Sequence, residues 1–187
     1  MRALLVIDCQ NDFITGSLAV GAAEIIPIIN DLQKKFNLVI YTQDYHPANH
    51  SSFTIFGGIW PPHCVQGTDG VAFHPDLEVR ALGSEATIVQ KGTDKAIDSY
   101  SGFYDNDHKH ATGLKDLLNS VTEVYVVGIA LDYCVKFTAL DAVTEGFKTF
   151  LVIDACRAVN INPGDDGKAI LDMIKAGVGI VHSKNVE

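Results

Sequence analysis

Reactive side chains recur in one kind of place along this 187-residue chain, just after a short apolar run. Asp8 follows Ala3 to Ile7, and Asp44 and His46 come soon after Leu38 to Tyr41. Lys91 comes after Thr87 to Val89, and Cys134 after Val124 to Ile129. Cys134 falls where a helix is predicted to begin, so backbone N–H groups and the macrodipole there would favour a thiolate, and a neighbouring lysine would favour it further. The same position also suits a buried structural thiol, because free cysteine is among the most buried residue types. Asp8 is either the base that takes a thiol proton, poised by partial desolvation, or a strand-end cap for the next turn. Lys91 either pairs with Asp8 and with developing negative charge, or is solvated at its strand end. Cys9, Cys64 and Cys156 have no comparable context and read as structural.

A second constellation lies in one aromatic-rich segment. Asp44, His46, His50 and His63 offer a carboxylate and three imidazoles within about twenty residues, with Trp60-Pro61-Pro62 between them. Imidazole plus carboxylate suits zinc, iron(II) or manganese and leaves positions open for water or substrate. Any one of these histidines would be ordinary on a surface or in a core; their clustering suggests one divalent metal ion. His74, His108, His110 and His182 stay outside the set, the middle two in the acidic loop Asp105 to His110.

Short apolar runs and helical patterns must position these residues. The runs 3–7, 38–41, 87–89, 124–129, 150–153 and 178–181 are continuous and rich in β-branched residues, as expected of parallel strands covered on both faces. Ile25, Ile28, Ile29, Leu32 and Phe36 recur at helical spacing, with Pro27 tolerated in the first turn. A second helical pattern runs from about Cys134 to Phe147. A third has Pro163 near its start, Ile170, Leu171 and Ile174 along it, and Gly177 as its stop. Strand–helix alternation predicts a three-layer α/β/α domain around a parallel sheet. In such sheets ligands bind beyond the carboxyl ends of the strands, where Asp8, Asp44, His46, Lys91 and Cys134 fall. The irregular stretches 43–86 and 92–112 are too long to be idle connections.

Composition narrows the function. Lys and Arg number 14 against 23 Asp and Glu, a net charge of -9, and no basic block is present, so nucleic-acid binding is not expected. No stretch reaches the roughly 20 apolar residues of a membrane span, and the N-terminal run is too short for a signal core. Four cysteines without a Cys-x-x-Cys pair disfavour a disulfide framework, redox chemistry and a zinc ribbon. The glycine-rich phosphate motifs and the Gly-x-Ser-x-Gly elbow are missing. The expectation is one cytoplasmic domain over residues 1–187, with a metal-binding loop region at about 43–75 and a small-molecule substrate. Monomer and homo-oligomer both remain open.

Several motifs, taken in order, carry a resemblance. Val6 to Phe13 (VIDCQNDF), Asp44 to Phe53 (DYHPANHSSF), Trp60 to Val65 (WPPHCV), Gln90-Lys91-Gly92, Tyr100 to Phe103 (YSGF) and Gly128 to Val135 (GIALDYCV) resemble the nicotinamidase/pyrazinamidase family of isochorismatase-like cysteine hydrolases. The resemblance spans nearly the whole chain and implies a Rossmann-like domain with a six-stranded parallel sheet. It implies a metal-dependent amidase converting nicotinamide, and pyrazinamide, to the acid and ammonia, in NAD salvage. By the same resemblance Cys134 is the nucleophile, Asp8 the proton carrier and Lys91 the third catalytic member. The backbone N–H groups of Ala130 and Cys134 would bind the oxyanion, with a cis peptide between Ile129 and Ala130. Asp44, His46, His50 and His63 would hold the metal, which would bind the ring nitrogen. Phe13, Trp60, Tyr100, Ile129 and Tyr133 would contact substrate. Leu131 departs from the threonine common there, which puts local hydrogen bonding near the nucleophile in question. Rival readings are a hydrolase of the same fold acting on an N-carbamoyl compound, another small amide or isochorismate, and a catalytically silent metal-binding protein.

Overall fold

The computed structural model describes residues 1–82 and 85–187. The irregular stretch at 43–86 therefore includes Gly83 and Ser84, which lie outside the described residues. In chain order the elements are β1 (Arg2–Ile7), α1 (Asn11–Ile14), α2 (Ile25–Gln33), β2 (Leu38–Asp44), β3 (Ala81–Leu82), β4 (Glu85–Lys91) and α3 (Leu114–Leu117). Then come β5 (Glu123–Ile129), a π-helical turn (Leu131–Val135), α4 (Lys136–Thr144), β6 (Lys148–Arg157), α5 (Asp165–Ala176) and β7 (Gly179–Val181).

The sheet runs β3-β4-β2-β1-β5-β6-β7. The six predicted parallel strands are all there. A seventh, β3, has no counterpart among the predicted strands; it is two residues long and antiparallel to β4 at the sheet edge. Because β1 is covered on both faces, its alternation feeds two cores. Leu4 and Val6 join a cluster with Ile25, Ile26, Ile29 and Leu32 of α2. Ala3, Leu5 and Ile7 join another with Ala139 and Ala142 of α4 and Ala169 and Met173 of α5. Each large aliphatic buried this way contributes about 1.5–3 kcal/mol, which is what holds the short helices to the sheet.

Two helices depart in detail from their predicted faces. In α2, Ile26 is buried and Ile28 only partly so, because the helix meets the sheet about a residue round from the predicted stripe. In α5, Ala169 and Met173 point inward while Leu171 and Ile174 are exposed. Gly177 does end α5, with φ +101. Among the described residues no helix is long and apolar enough to cross a membrane.

Chain direction across the sheet reverses at β1: β2 and β4 lie to one side, β5, β6 and β7 to the other. The carboxyl ends of β1, β2, β4 and β5 thus open onto the same crevice, where the switch of direction leaves room for a ligand.

Candidate active site and metal centre

Strand register does much of the positioning. Asp44 pairs with Lys91 across β2 and β4, so their side chains leave neighbouring strand ends together. Lys91 Nζ lies 2.5 Å from Asp44 Oδ1, 2.9 Å from Asp8 Oδ2 and 3.4 Å from Cys134 Sγ, and it donates to the Ser99 carbonyl at 2.8 Å. Carboxylate oxygens of Asp8 and Asp44 and the thiol of Cys134 all lie within 4.8 Å of one another. Asp8 itself follows β1 with φ +47, a left-handed conformation whose cost of about 1–3 kcal/mol is typical of functional positions. Its Oδ1 accepts from Thr42 Oγ1 at 2.6 Å. Gln10 clamps the neighbouring strand end, donating to the Asp44 carbonyl and accepting from the Asp44 N–H, both at 2.8 Å.

Cys134 sits within the π-helical turn, before α4 and not at its first residue. The turn is pinned by the Ala130 carbonyl, which accepts from the N–H groups of Tyr133 and Val135 at 3.0 Å. The Ile129–Ala130 peptide is cis. Gly128 has φ +114, and a Cβ there would stand 2.1 Å from the Ile7 carbonyl oxygen, so only glycine lets β5 lie this close to β1.

Burial sets the proton balance. It pushes the Cys134 thiol well above its ordinary range; Lys91 opposes it, while Asp8 and Asp44 push the same way. The expected lowering by a helix start and a lysine therefore does not occur, because desolvation and two carboxylates outweigh them. Burial raises Asp8 too, with Lys91 offsetting part and Asp44 adding to it. Burial opposes ionisation of Asp44, yet Lys91 and His46 hold its carboxyl far below the ordinary range. Burial would lower Lys91, but Asp44 and Asp8 hold it firmly protonated. The result is a neutral thiol beside a carboxyl of raised proton affinity, oriented by a permanent cation. That arrangement can pass a proton from sulfur to Asp8 and on to a leaving group.

The histidines lie on the other side of Asp44. Asp44 Oδ2 is 3.5 Å from His46 Nε2 and 3.9 Å from His63 Nε2, a grouping compact enough to hold a metal ion. Every Nδ1 in the set is already engaged: His46 with the Gly92 carbonyl at 2.8 Å, His50 with Ser52 Oγ at 2.7 Å, His63 with the Pro61 carbonyl at 2.8 Å. At His46 and His63 the carbonyl partner calls for Nδ1–H and leaves Nε2 as the free lone pair, whereas the Nδ1 of His50 faces the Ser52 hydroxyl and also accepts from the Ser52 N–H at 3.3 Å. His46 Nε2 and His50 Nε2 are buried and have no hydrogen-bond partner. Burial also lowers the proton affinity of His50 and His63, which favours the neutral, ligating form; His46 is raised by Asp44 against the effect of its burial. This donor set fits a divalent cation. The His50 ring lies against that of His46, tilted by 32° with centroids 4.2 Å apart, and His50 groups with His46 and Asp98 and not with Asp44 and His63. At Gly92, φ +61, a Cβ would come 2.4 Å from the His46 ring, so glycine makes room for the ligand.

Between the two halves opens a narrow cleft lined by Phe13, Trp60, Tyr100, Tyr133, Ala130 and Cys134, with Asp44 and His63 on the metal side. Trp60 Nε1 donates to Tyr100 Oη at 3.1 Å, tying two walls together, and burial pushes the Tyr100 phenol up to about 12. Tyr133 meets both rings edge-on. Ile129 is different: it is fully buried in the core and does not line the cleft. Several residues that shape the site carry little signal in the sequence. Gln10 and Thr42 hold Asp44 and Asp8, Phe53 packs against all three histidines, and Asp98 and Val159 line the cleft. Gln10 and Thr42 lie at strand ends beside a carboxylate, which is the cue that could have found them. Asp98 lies in a loop with no such cue.

An isochorismatase domain model matches residues 2–185. The nicotinamidase of Escherichia coli (strain K12) is 41% identical over 94% of this chain and 92% of its own. The Acinetobacter baumanii nicotinamidase/pyrazinamidase structure superposes with TM-score 0.93 and 42% identity, covering 100% of this chain and 98% of that one. A pyrazinamidase from Pyrococcus horikoshii, solved in complex with zinc, gives TM-score 0.84 and 40% identity over 97% of this chain and 98% of its own. Family model, sequence and fold agree across nearly the whole chain, and the chain belongs to the isochorismatase family, within its nicotinamidase/pyrazinamidase group.

Proposed function

We propose that this chain hydrolyses the carboxamide of nicotinamide, and of pyrazinamide, to the carboxylic acid and ammonia through a thioester on Cys134. The observation that carries the reading is the meeting of Cys134, Asp8 and Lys91 at one end of an aromatic cleft whose other end is a metal-capable Asp/His set. Phe13, Trp60, Tyr100 and Tyr133 bracket the flat ring and exclude water. Asp8 takes the Sγ proton as sulfur attacks the carboxamide carbon, and the oxyanion is held by the N–H groups of Ala130 and Cys134. Asp8 returns the proton to the nitrogen, the C–N bond breaks and ammonia leaves. Water then attacks the thioester carbon while Asp8 takes its proton; the C–S bond breaks, and the proton returns to sulfur as the acid departs. Lys91 keeps its charge throughout, offsetting the negative charge that moves between Asp8 and Cys134.

Asp44, His46 and His63, with His50 beside them, would hold one divalent ion: zinc, as in the Pyrococcus relative, or iron(II) or manganese. When bound, the ion supplies a Lewis-acid anchor for the ring nitrogen and so favours a pyridine or pyrazine over a plain aliphatic amide.

The test is ammonia release from nicotinamide and pyrazinamide by metal-replete protein, with Cys134→Ala alongside. Wild type should turn over both amides, and the variant should lose at least about 1000-fold while still binding metal. Turnover of N-carbamoyl compounds with none of nicotinamide would replace the substrate class. A variant as active as wild type would remove the thioester.

A further inference from the structure

Asp98 lies where the two metal-facing arrangements meet. Its carboxylate falls within 4.8 Å of a ligand nitrogen on both His46 and His50, and it also lines the cleft beside Asp44, His63 and Tyr100. One of its oxygens accepts from the Ser99 N–H at 2.8 Å, and the Asp98 carbonyl accepts from the Asn106 N–H at 2.8 Å, so the residue is fixed from both ends. Next to it, His50 Nε2 is fully buried and has no hydrogen-bond partner. We propose that Asp98 is a fifth protein residue of the metal centre, a positioning carboxylate on its His46/His50 side that balances the cation's charge and accepts from water or ligand held there.

Charge favours this role. The buried carboxylates of Asp8 and Asp44 are matched by the single ammonium of Lys91 and leave one negative charge. A divalent cation among neutral imidazoles would leave the buried cluster one positive charge in excess. Asp98 is the carboxylate that brings this cluster to neutrality, and low-dielectric sites favour neutral totals because unbalanced buried charge is costly. The position also explains how His50 can serve a site whose Asp44/His63 grouping it does not itself join: Asp98 supplies an anionic partner for that side. Carboxylates beside metal ligands commonly tune affinity about 10- to 100-fold.

The inference rests on the metal centre of the proposed function, and one titration separates the two. Zinc is competed from the whole protein with a chromophoric chelator, for wild type, Asp98→Asn, Asp98→Glu and Asp94→Asn. Asp94 is an exposed acid of the same loop and serves as a charge control. Zinc affinity should fall about 10- to 100-fold in Asp98→Asn and be retained largely in Asp98→Glu, which keeps the charge, and fully in Asp94→Asn. Superposable circular dichroism of the metal-free proteins excludes misfolding, and Asp98→Ser, which also removes the charge, carries the same expectation if Asp98→Asn does not fold. Asp98→Asn within about twofold of wild type, or an equal fall in Asp94→Asn, overturns the role of Asp98 and leaves the metal centre standing. A wild type that binds no stoichiometric zinc overturns both.

Discussion

The lysine side of the site and its histidine side share Asp44, one oxygen each. Oδ1 lies 2.5 Å from Lys91 Nζ, whereas Oδ2 lies 3.5 Å from His46 Nε2 and 3.9 Å from His63 Nε2. On the lysine side the charged groups answer each other: Lys91 contacts two carboxylates, a thiol and a carbonyl, and it is buried. On the histidine side every Nδ1 is taken, while Nε2 of His46 and of His50 is buried and unmatched. The first arrangement carries its own counter-charge, although Asp8 Oδ2 has only the ion pair with Lys91 and no hydrogen bond, whereas the second leaves two ring nitrogens for a ligand. Stability and ligand binding are therefore written into different atoms of neighbouring residues, and substitutions on the two sides should separate them.

The largest effect is expected from Lys91→Met. It leaves Asp8 and Asp44 facing each other without a cation, and breaking a buried ionic arrangement by removing one partner costs about 3–5 kcal/mol. Urea denaturation should show that loss, along with abolished turnover. A loss under about 1 kcal/mol would mean that Lys91 does not offset the two buried carboxylates.

The next effect belongs to the histidine side. Added zinc should stabilise the wild type by about 2.7 kcal/mol at a hundredfold excess over its Kd. His46→Ala should abolish that increment. Chelation should weaken nicotinamide binding while the far-ultraviolet circular dichroism stays unchanged. Zinc stabilising His46→Ala as much as wild type would move the metal elsewhere.

Asp8→Asn should have the smallest effect on stability and a large one on rate. Because Asp8 is raised in the folded chain, the native state holds its proton more tightly than the unfolded chain does. Its contribution therefore falls as pH climbs from the unfolded value through the folded one, and at neutral pH the charged group is a net cost. Asn removes that cost, so Tm at neutral pH should stay within about 3 °C of wild type or rise. Asp44 has the opposite sign: its stabilisation is present above the ordinary aspartate range and is lost as acid drives the pH down toward its depressed value. The acid limb of kcat/KM should lie above the ordinary aspartate range and vanish in Asp8→Asn. An acid limb that survives in the variant would assign the proton carrier to another group.

How much of this was legible in the chain itself depends on the range of the cause. Continuous β-branched runs such as Ala3 to Ile7 announce two-sided burial locally, and six parallel strands result from that pattern. Asp8, Asp44, Lys91 and Cys134 could be collected from the sequence because a parallel sheet gathers the carboxyl ends of its strands at one edge. Strand β3 was not legible, since two residues carry no periodicity. The π-helical turn at Leu131–Val135 was also hidden, because its apolar residues fit an ordinary helix start equally well.

The layers, the strand-end positions and the types of donor follow from side-chain period and from the chemistry of single residues. The proton balance at Cys134, the partition of Asp44 between lysine and histidines, the removal of Ile129 from the cleft wall and the approach of Asp98 to His50 arise in the folded chain alone. Those depend on desolvation and on distances between residues far apart in the chain. Both are properties of packing, and neither has a signature in local sequence.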